Sequence, residues 1–170
     1  MSSSPHTPEA EKEARAEDAA VESKQEQEQE EGKQDERDAV FVNSRVFYLE
    51  PKQLAAMLQD KEQAKGVLVV DVRDTDIGDT MIAGNTINVP AGLLTQRTLE
   101  DALSRLGTSL ADYKTVVVHC MYSQVRGPRS ARLINSFYPN RKFDLCVLRG
   151  GFCSWFSSYP KLLQPAQPYP

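Results

Sequence analysis

Two runs of β-branched residues constrain this chain more than anything else in it: "GVLVVDVRD" at 66–74 and "KTVVVHC" at 114–120. Neither alternates polar with apolar residues. A strand with one face in water does alternate, so both runs read as strands buried on two faces, as in a parallel sheet covered by helices. The segments around them fit. "RVFYLE" (45–50) and "NTINVP" (85–90, stopped by Pro90) read as shorter strands, and "KFDLCVLRGG" (142–151) as a last strand entering a Gly-Gly turn. "PKQLAAMLQD" opens on Pro51 and sets Leu54, Met57 and Leu58 on one helical face. "TLEDALSRLG" carries apolar residues at 99, 102, 103 and 106 and ends in Gly107, as helices end. "GPRSARLINSFY" aligns Ala131, Leu133, Ile134 and Phe137, and "FCSWF" begins a short final helix whose Phe152, Trp155 and Phe156 are expected to pack on the sheet. "TDIGDTMIAG" (75–84) reads as a loop. Alternating strands and helices predict an α/β fold: a mostly parallel, five-stranded sheet with helices on both faces.

The 170 residues suit one domain with length to spare. Residues 1–39 hold 13 acidic and 5 basic side chains, against 11 acidic and 15 basic in the remainder. The first segment ("ESKQEQEQEE") lacks the apolar area needed to offset its ordering entropy, so it reads as a disordered acidic tail. A folded domain is expected over 40–162, followed by a Pro-rich frayed end, "QPAQPYP", within 163–170. The tail has no apolar core and is acidic, unlike a secretory or mitochondrial leader. No window is long and apolar enough for a membrane span. Three cysteines at irregular spacing form no disulfide framework, so a cytoplasmic or nuclear compartment is the expectation. Basic residues are not interleaved with aromatics, which argues against nucleic acid as a partner. A monomer is expected.

Ligands of such sheets bind beyond the carboxyl ends of the strands. Cys120 stands at one such end, and Asp71 to Asp74 at another. A thiol at a helix N-terminus beside a cation is acidified and becomes a strong nucleophile. Both conditions are offered here. The backbone N–H groups of Met121, Tyr122, Ser123, Gln124 and Val125 can turn inward as an anion nest. Pro128 suits a first helical turn, whose positive end would point at the same place. Arg126 adds a permanent charge whose planar fork fits a tetrahedral oxyanion. Such a cradle suits in-line attack of Cys120 sulfur on phosphorus or arsenic, with no metal or other cofactor required.

Most cysteines simply pack, and Cys146, set in an apolar strand, reads as core. Cys153 opens the last helix and reads as a packing residue, with a resolving or redox role as the alternative. His119 precedes the nucleophile on a strand, so its ring points away from substrate and serves to orient. Arg129 and Arg132 either steer anions or form an ordinary exposed helix face.

The segment "HCMYSQVRGPRSA" (119–131) resembles the active-site signature of the M-phase inducer dual-specificity phosphatases and of the related small eukaryotic arsenate reductases, which use a rhodanese-type domain. "VVDVRD" (69–74), "INVP" (87–90) and "VLRGGFCSW" (147–155) fit the same domain, so the resemblance spans roughly Val46 to Tyr159. It implies a rhodanese-like fold, Cys120 as nucleophile, Arg126 as anion clamp, and residues 121–125 as amide donors. The Cys-to-Arg spacing is that of the seven-residue phosphatase loop; sulfurtransferase rhodaneses usually have one residue fewer. The chain also departs from the pattern. Where the inducer phosphatases carry acidic loop residues, it has Met121 to Val125, leaving Asp74, Asp76 and Asp79 as alternatives for a leaving-group acid, or as plain solvated loop. Where they keep a second cysteine, it has Val72. The rhodanese Gly-His appears as Asp79-Thr80.

The expected function is a cysteine-dependent protein phosphatase of tyrosine or dual specificity, a hydrolase acting on a phosphorylated protein or small phosphate. An arsenate reductase using glutathione or glutaredoxin as co-substrate is the alternative. A non-catalytic rhodanese-type binding module and a sulfurtransferase stand behind these.

Overall fold

A computed structural model describes residues 45–170. The acidic segment 1–39 lies outside the described residues. Five strands form one sheet in the order β1-β6-β5-β2-β4, with β1 at Val46–Leu49, β2 at Val67–Asp71, β4 at Thr86–Asn88, β5 at Thr115–His119 and β6 at Asp144–Leu148. All four pairings are parallel. Every residue of β2 and β5 is buried, which is why neither sequence alternates. Their register sets Val69 against Val117 and Asp71 against His119, so both strands deliver polar groups to the same carboxyl edge.

Two helical layers cover the sheet. Leu68, Val70, Val116, Val118, Leu145 and Val147 face one layer, whose helices α3 (Gln96–Arg105) and α4 (Arg126–Phe137) contribute Leu99, Leu103, Ala131 and Ile134. Val67, Val69, Val117, Cys146 and Leu148 face the other, built from α1 (Pro51–Gln59) and α5 (Gly151–Ser158) through Leu54, Ala55, Phe152 and Trp155. Each fully buried Val, Leu or Ile contributes roughly 1.5–3 kcal/mol. The fold is α/β and rhodanese-like.

The structure differs from the sequence expectations at several places. The stretch 75–84 is not all loop: Thr80–Ile82 is a strand, β3, paired antiparallel with β7 at Leu163–Pro165 in a separate two-stranded sheet. The end read as frayed is therefore held. Ala166 N–H donates to the Asp79 carbonyl and Tyr169 N–H to Asn88 Oδ1, each at 2.9 Å. Prolines are tolerated in such an edge strand because its outward side needs no donor. Met81 and Ile82 are fully buried, but three residues with a partner eighty positions away leave no periodic signal. A second short helix, α2 (Lys61–Lys65), follows α1 because the Asp60 carboxylate accepts the N–H groups of Glu62 and Gln63. Leu133 and Phe156 are exposed, the latter lying over Phe152 at 5.9 Å between centroids and not within the core.

Candidate active site

The carboxyl end of β5 delivers Cys120 into a loop that closes at Arg126, the first residue of α4. The thiol is 4% exposed, and two backbone N–H groups aim at it. Ser123 donates to Sγ at 3.2 Å and Gly127 at 3.4 Å. Ser123 turns the chain through the left-handed region (φ 52°), and its hydroxyl lies 3.4 Å from the Cys120 nitrogen. Gly127 leaves room: an added Cβ would meet Ser123 Oγ at 3.1 Å. The N–H groups of Met121, Tyr122, Gln124 and Val125 make no hydrogen bond among the described residues. Donors gathered around one sulfur and one guanidinium can stabilise negative charge there.

Arg126 is met by a residue from another loop. Its Nη1 donates to Asp76 Oδ1 at 2.8 Å and its Nη2 to Oδ2 at 2.5 Å. The guanidinium holds the Asp76 carboxyl well below the usual carboxylate range, and Asp76, with Cys120 and Asp74 adding less, holds Arg126 firmly protonated. Of the three acidic residues read from the sequence as acid or solvated loop, only Asp76 reaches the loop's arginine; Asp74 and Asp79 are exposed.

Behind the loop lies a buried ionic cluster. Arg73 and Asp71 are 1% and 0% exposed, and they pair through Nε to both carboxylate oxygens at 3.0 Å and through Nη2 to Oδ2 at 2.6 Å. Arg73 Nη2 also donates to the Thr80 carbonyl at 2.8 Å, tying β3 to the site. The Arg73 guanidinium carbon sits 3.6 Å over the Phe152 ring, which stacks on His119. His119 Nδ1 lies 3.2 Å from the Cys120 carbonyl oxygen. Burial is the main cause of a lowered His119 pKa, so the ring is neutral at physiological pH and orients the corner. The Asp76 contact is not readable from local sequence, since Asp76 and Arg126 are fifty residues apart.

The other thiols sit elsewhere. Cys146 is buried in β6, and burial pushes its thiol up to about 11. Cys153 is exposed on α5. A cavity of about 740 Å³ lined by Tyr113, Tyr138 and Phe143 opens at the opposite, amino end of the sheet and shares no residue with the loop.

Known proteins resemble this chain. The CDC25-like phosphatase YCH1 of Saccharomyces cerevisiae is 32% identical over 126 residues, which cover 68% of this chain and 85% of the yeast protein. The chain belongs to that rhodanese-type family of Cdc25-like phosphatases and arsenate reductases. Among solved structures of the family, the As-Sb reductase of Leishmania major superposes with a TM-score of 0.59 at 26% identity, covering 69% of this chain and 84% of that one. Saccharomyces cerevisiae Ygr203w, described as a homolog of single-domain rhodanese and the Cdc25 phosphatase catalytic domain, gives 0.55 at 31% identity, with the same two coverages of 69% and 84%. No protein-family model matches the chain. At the position where the resemblance places a second cysteine, this rhodanese-type chain buries Val72 completely.

Proposed function

We propose that this chain is a cysteine-dependent phosphatase of tyrosine or dual specificity. Cys120 Sγ attacks phosphorus in line, the ester oxygen leaves and takes up a proton, and a cysteinyl phosphate forms. Water then attacks the phosphorus, releasing inorganic phosphate and restoring the thiolate. The amides of Met121 to Val125 and the Arg126 fork hold the equatorial oxygens in both steps. The observation that carries this reading is the pair of N–H groups converging on Cys120 Sγ beside Arg126. Tyr122 and Val125 are exposed at the rim, where an aryl ester can lie against them. The purified chain should release phosphate from an aryl phosphate ester, and Cys120→Ser should abolish release. Full turnover by the Ser variant would defeat the proposal.

Arsenate reduction is the second reading, supported by the reductase among the structural relatives. Arsenate presents the same tetrahedral oxygens, so the cradle admits it. A thiol co-substrate, glutathione or glutaredoxin, would attack the Cys120–arsenic adduct; arsenic(V) gains two electrons and leaves as arsenite while two thiols become a disulfide. Thiol-dependent arsenite formation without aryl phosphatase activity would favour this reading over the first.

A further inference from the structure

We infer that Asp76 is a positioning residue for the anion clamp: it grips Arg126 end-on and leaves the side edge of the guanidinium free for an incoming oxyanion. The inference deepens the proposed oxyanion chemistry and rests on it. A guanidinium has five N–H bonds. The end-on contact seen here uses one from Nη1 and one from Nη2. The Nε–H makes no hydrogen bond among the described residues. It and the outer N–H of Nη2 form a second fork, and that edge is the right width for two oxygens of a phosphate or arsenate. Asp76 and a bound dianion therefore draw on different hydrogens of one side chain.

Asp76 is itself braced. The Asp74 N–H donates to Asp76 Oδ1 at 3.0 Å, and the Ile77 N–H to the Asp74 carbonyl at 3.1 Å, so a tight turn after β2 presents the carboxylate. The turn is anchored below by the buried Arg73–Asp71 pair and by Asn88, whose Nδ2 donates to the carbonyls of both Asp71 and Arg73 at 2.9 Å. A flexible arginine at a helix start is thus tied to the sheet's second strand. The two side chains are 39% and 33% exposed, and pairs so exposed contribute little to folding stability. Orientation is what the contact supplies. A carboxylate held ionised by its partner has no proton to give, so the same contact argues against Asp76 as the leaving-group acid.

The test compares wild type, Asp76→Asn and Asp76→Glu in the full chain. Two readouts are used: kcat/KM for 4-nitrophenyl and phenyl phosphate, and protection of Cys120 from iodoacetamide by tungstate, scored by peptide mapping. Asp76→Asn should lower kcat/KM by about 10–100-fold, since small misplacements of a clamp cost that much. The loss should be equal for both esters. About tenfold more tungstate should be needed for protection, and Asp76→Glu should recover part of each, with melting temperatures unchanged. A loss confined to phenyl phosphate, whose leaving group needs a proton, would make Asp76 an acid and overturn the inference. Tighter tungstate binding by Asp76→Asn would make the carboxylate a competitor and also overturn it, as would three indistinguishable proteins. Failure of wild type to hydrolyse either ester would count against the phosphatase proposal alone, because tungstate protection still reads the clamp.

Discussion

The backbone N–H of Phe152 donates to the Cys120 carbonyl oxygen across 2.9 Å, locking the first turn of the last helix onto the corner where strand β5 becomes the loop leading to Arg126. The Cys153 N–H does the same for the Met121 carbonyl at 2.9 Å. This close approach requires Gly151. Its φ is 60°, and an added Cβ would stand 2.6 Å from both carbonyl oxygens.

Gly151→Ala should therefore cost roughly 2–4 kcal/mol, combining left-handed strain with a clash against backbone that cannot rotate away. Activity should fall further than stability, because the displaced atoms belong to Cys120 and Met121. Urea denaturation and aryl phosphate turnover measure the two effects. Gly92→Ala is the control: nothing lies within 4 Å of a Cβ there. Equal behaviour of the two variants would mean that the helix does not brace the loop.

The Asp71–Arg73 pair makes a second prediction. Both side chains are at most 1% exposed, so removing one partner leaves a charge without water or counterion. Asp71→Ala should lose about 3–5 kcal/mol in urea denaturation. Adding Arg73→Met to it should restore part of that loss, giving a double variant more stable than the sum of the singles. Strict additivity would show that the pair is not energetically coupled.

Much of this was legible in the sequence, and for a physical reason. The unbroken "VLVV" and "VVV" runs are short and rich in β-branched residues, so they read as strands covered on both sides, and the parallel sheet and the place of Cys120 at its edge follow from pattern and residue type. The thiol, the loop spacing and the helix start are contiguous, so they too could be read. What stayed hidden is non-local. Asp76 looks the same as Asp74 and Asp79 until the fold brings Arg126 within 2.8 Å of it. Thr80–Ile82 becomes a strand only because Leu163–Pro165 pairs with it, and a segment as Pro-rich as "QPAQPYP" reads locally as an unheld end. Leu133 fits the helical stripe within one residue but points outward, a phase error that periodicity over twelve residues tolerates.

His119 gives a pH prediction whose sign is fixed by burial. Desolvation is the first cause of its lowered pKa; the Asp71 carboxylate opposes it, with Nε2 and Oδ2 3.8 Å apart, and Arg73 reinforces it. Among the described residues, Nε2 has no hydrogen-bond partner to retain a proton. Below about pH 6.5 the unfolded chain binds a proton at this ring and the native protein does not. The stability present above that pH is lost as pH falls toward the native pKa, by at most about 1.4 kcal/mol per pH unit from this group. Unfolding free energies between pH 7.5 and 5.5 should show that slope in wild type and a shallower one in His119→Asn. Parallel slopes would mean that the ring titrates alike in both states.

Cys146 tests whether the thiol chemistry belongs to the loop and not to the sheet. Its sulfur is buried among Val117, Leu148 and Trp155 on the second face, with the thiol pushed up to about 11. At pH 7.5 a thiol so shifted is ionised to only a few parts in ten thousand, and iodoacetamide attacks thiolate. Native protein should therefore leave Cys146 unlabelled while the exposed Cys153 reacts, and denaturation should expose Cys146 to full labelling. Cys146→Val, which nearly conserves volume, should change stability by less than about 1.5 kcal/mol and leave phosphate release intact. Rapid labelling of native Cys146, or loss of turnover in the Val variant with folding preserved, would move a reactive sulfur into the sheet and remove the reason for assigning the chemistry to Cys120 alone.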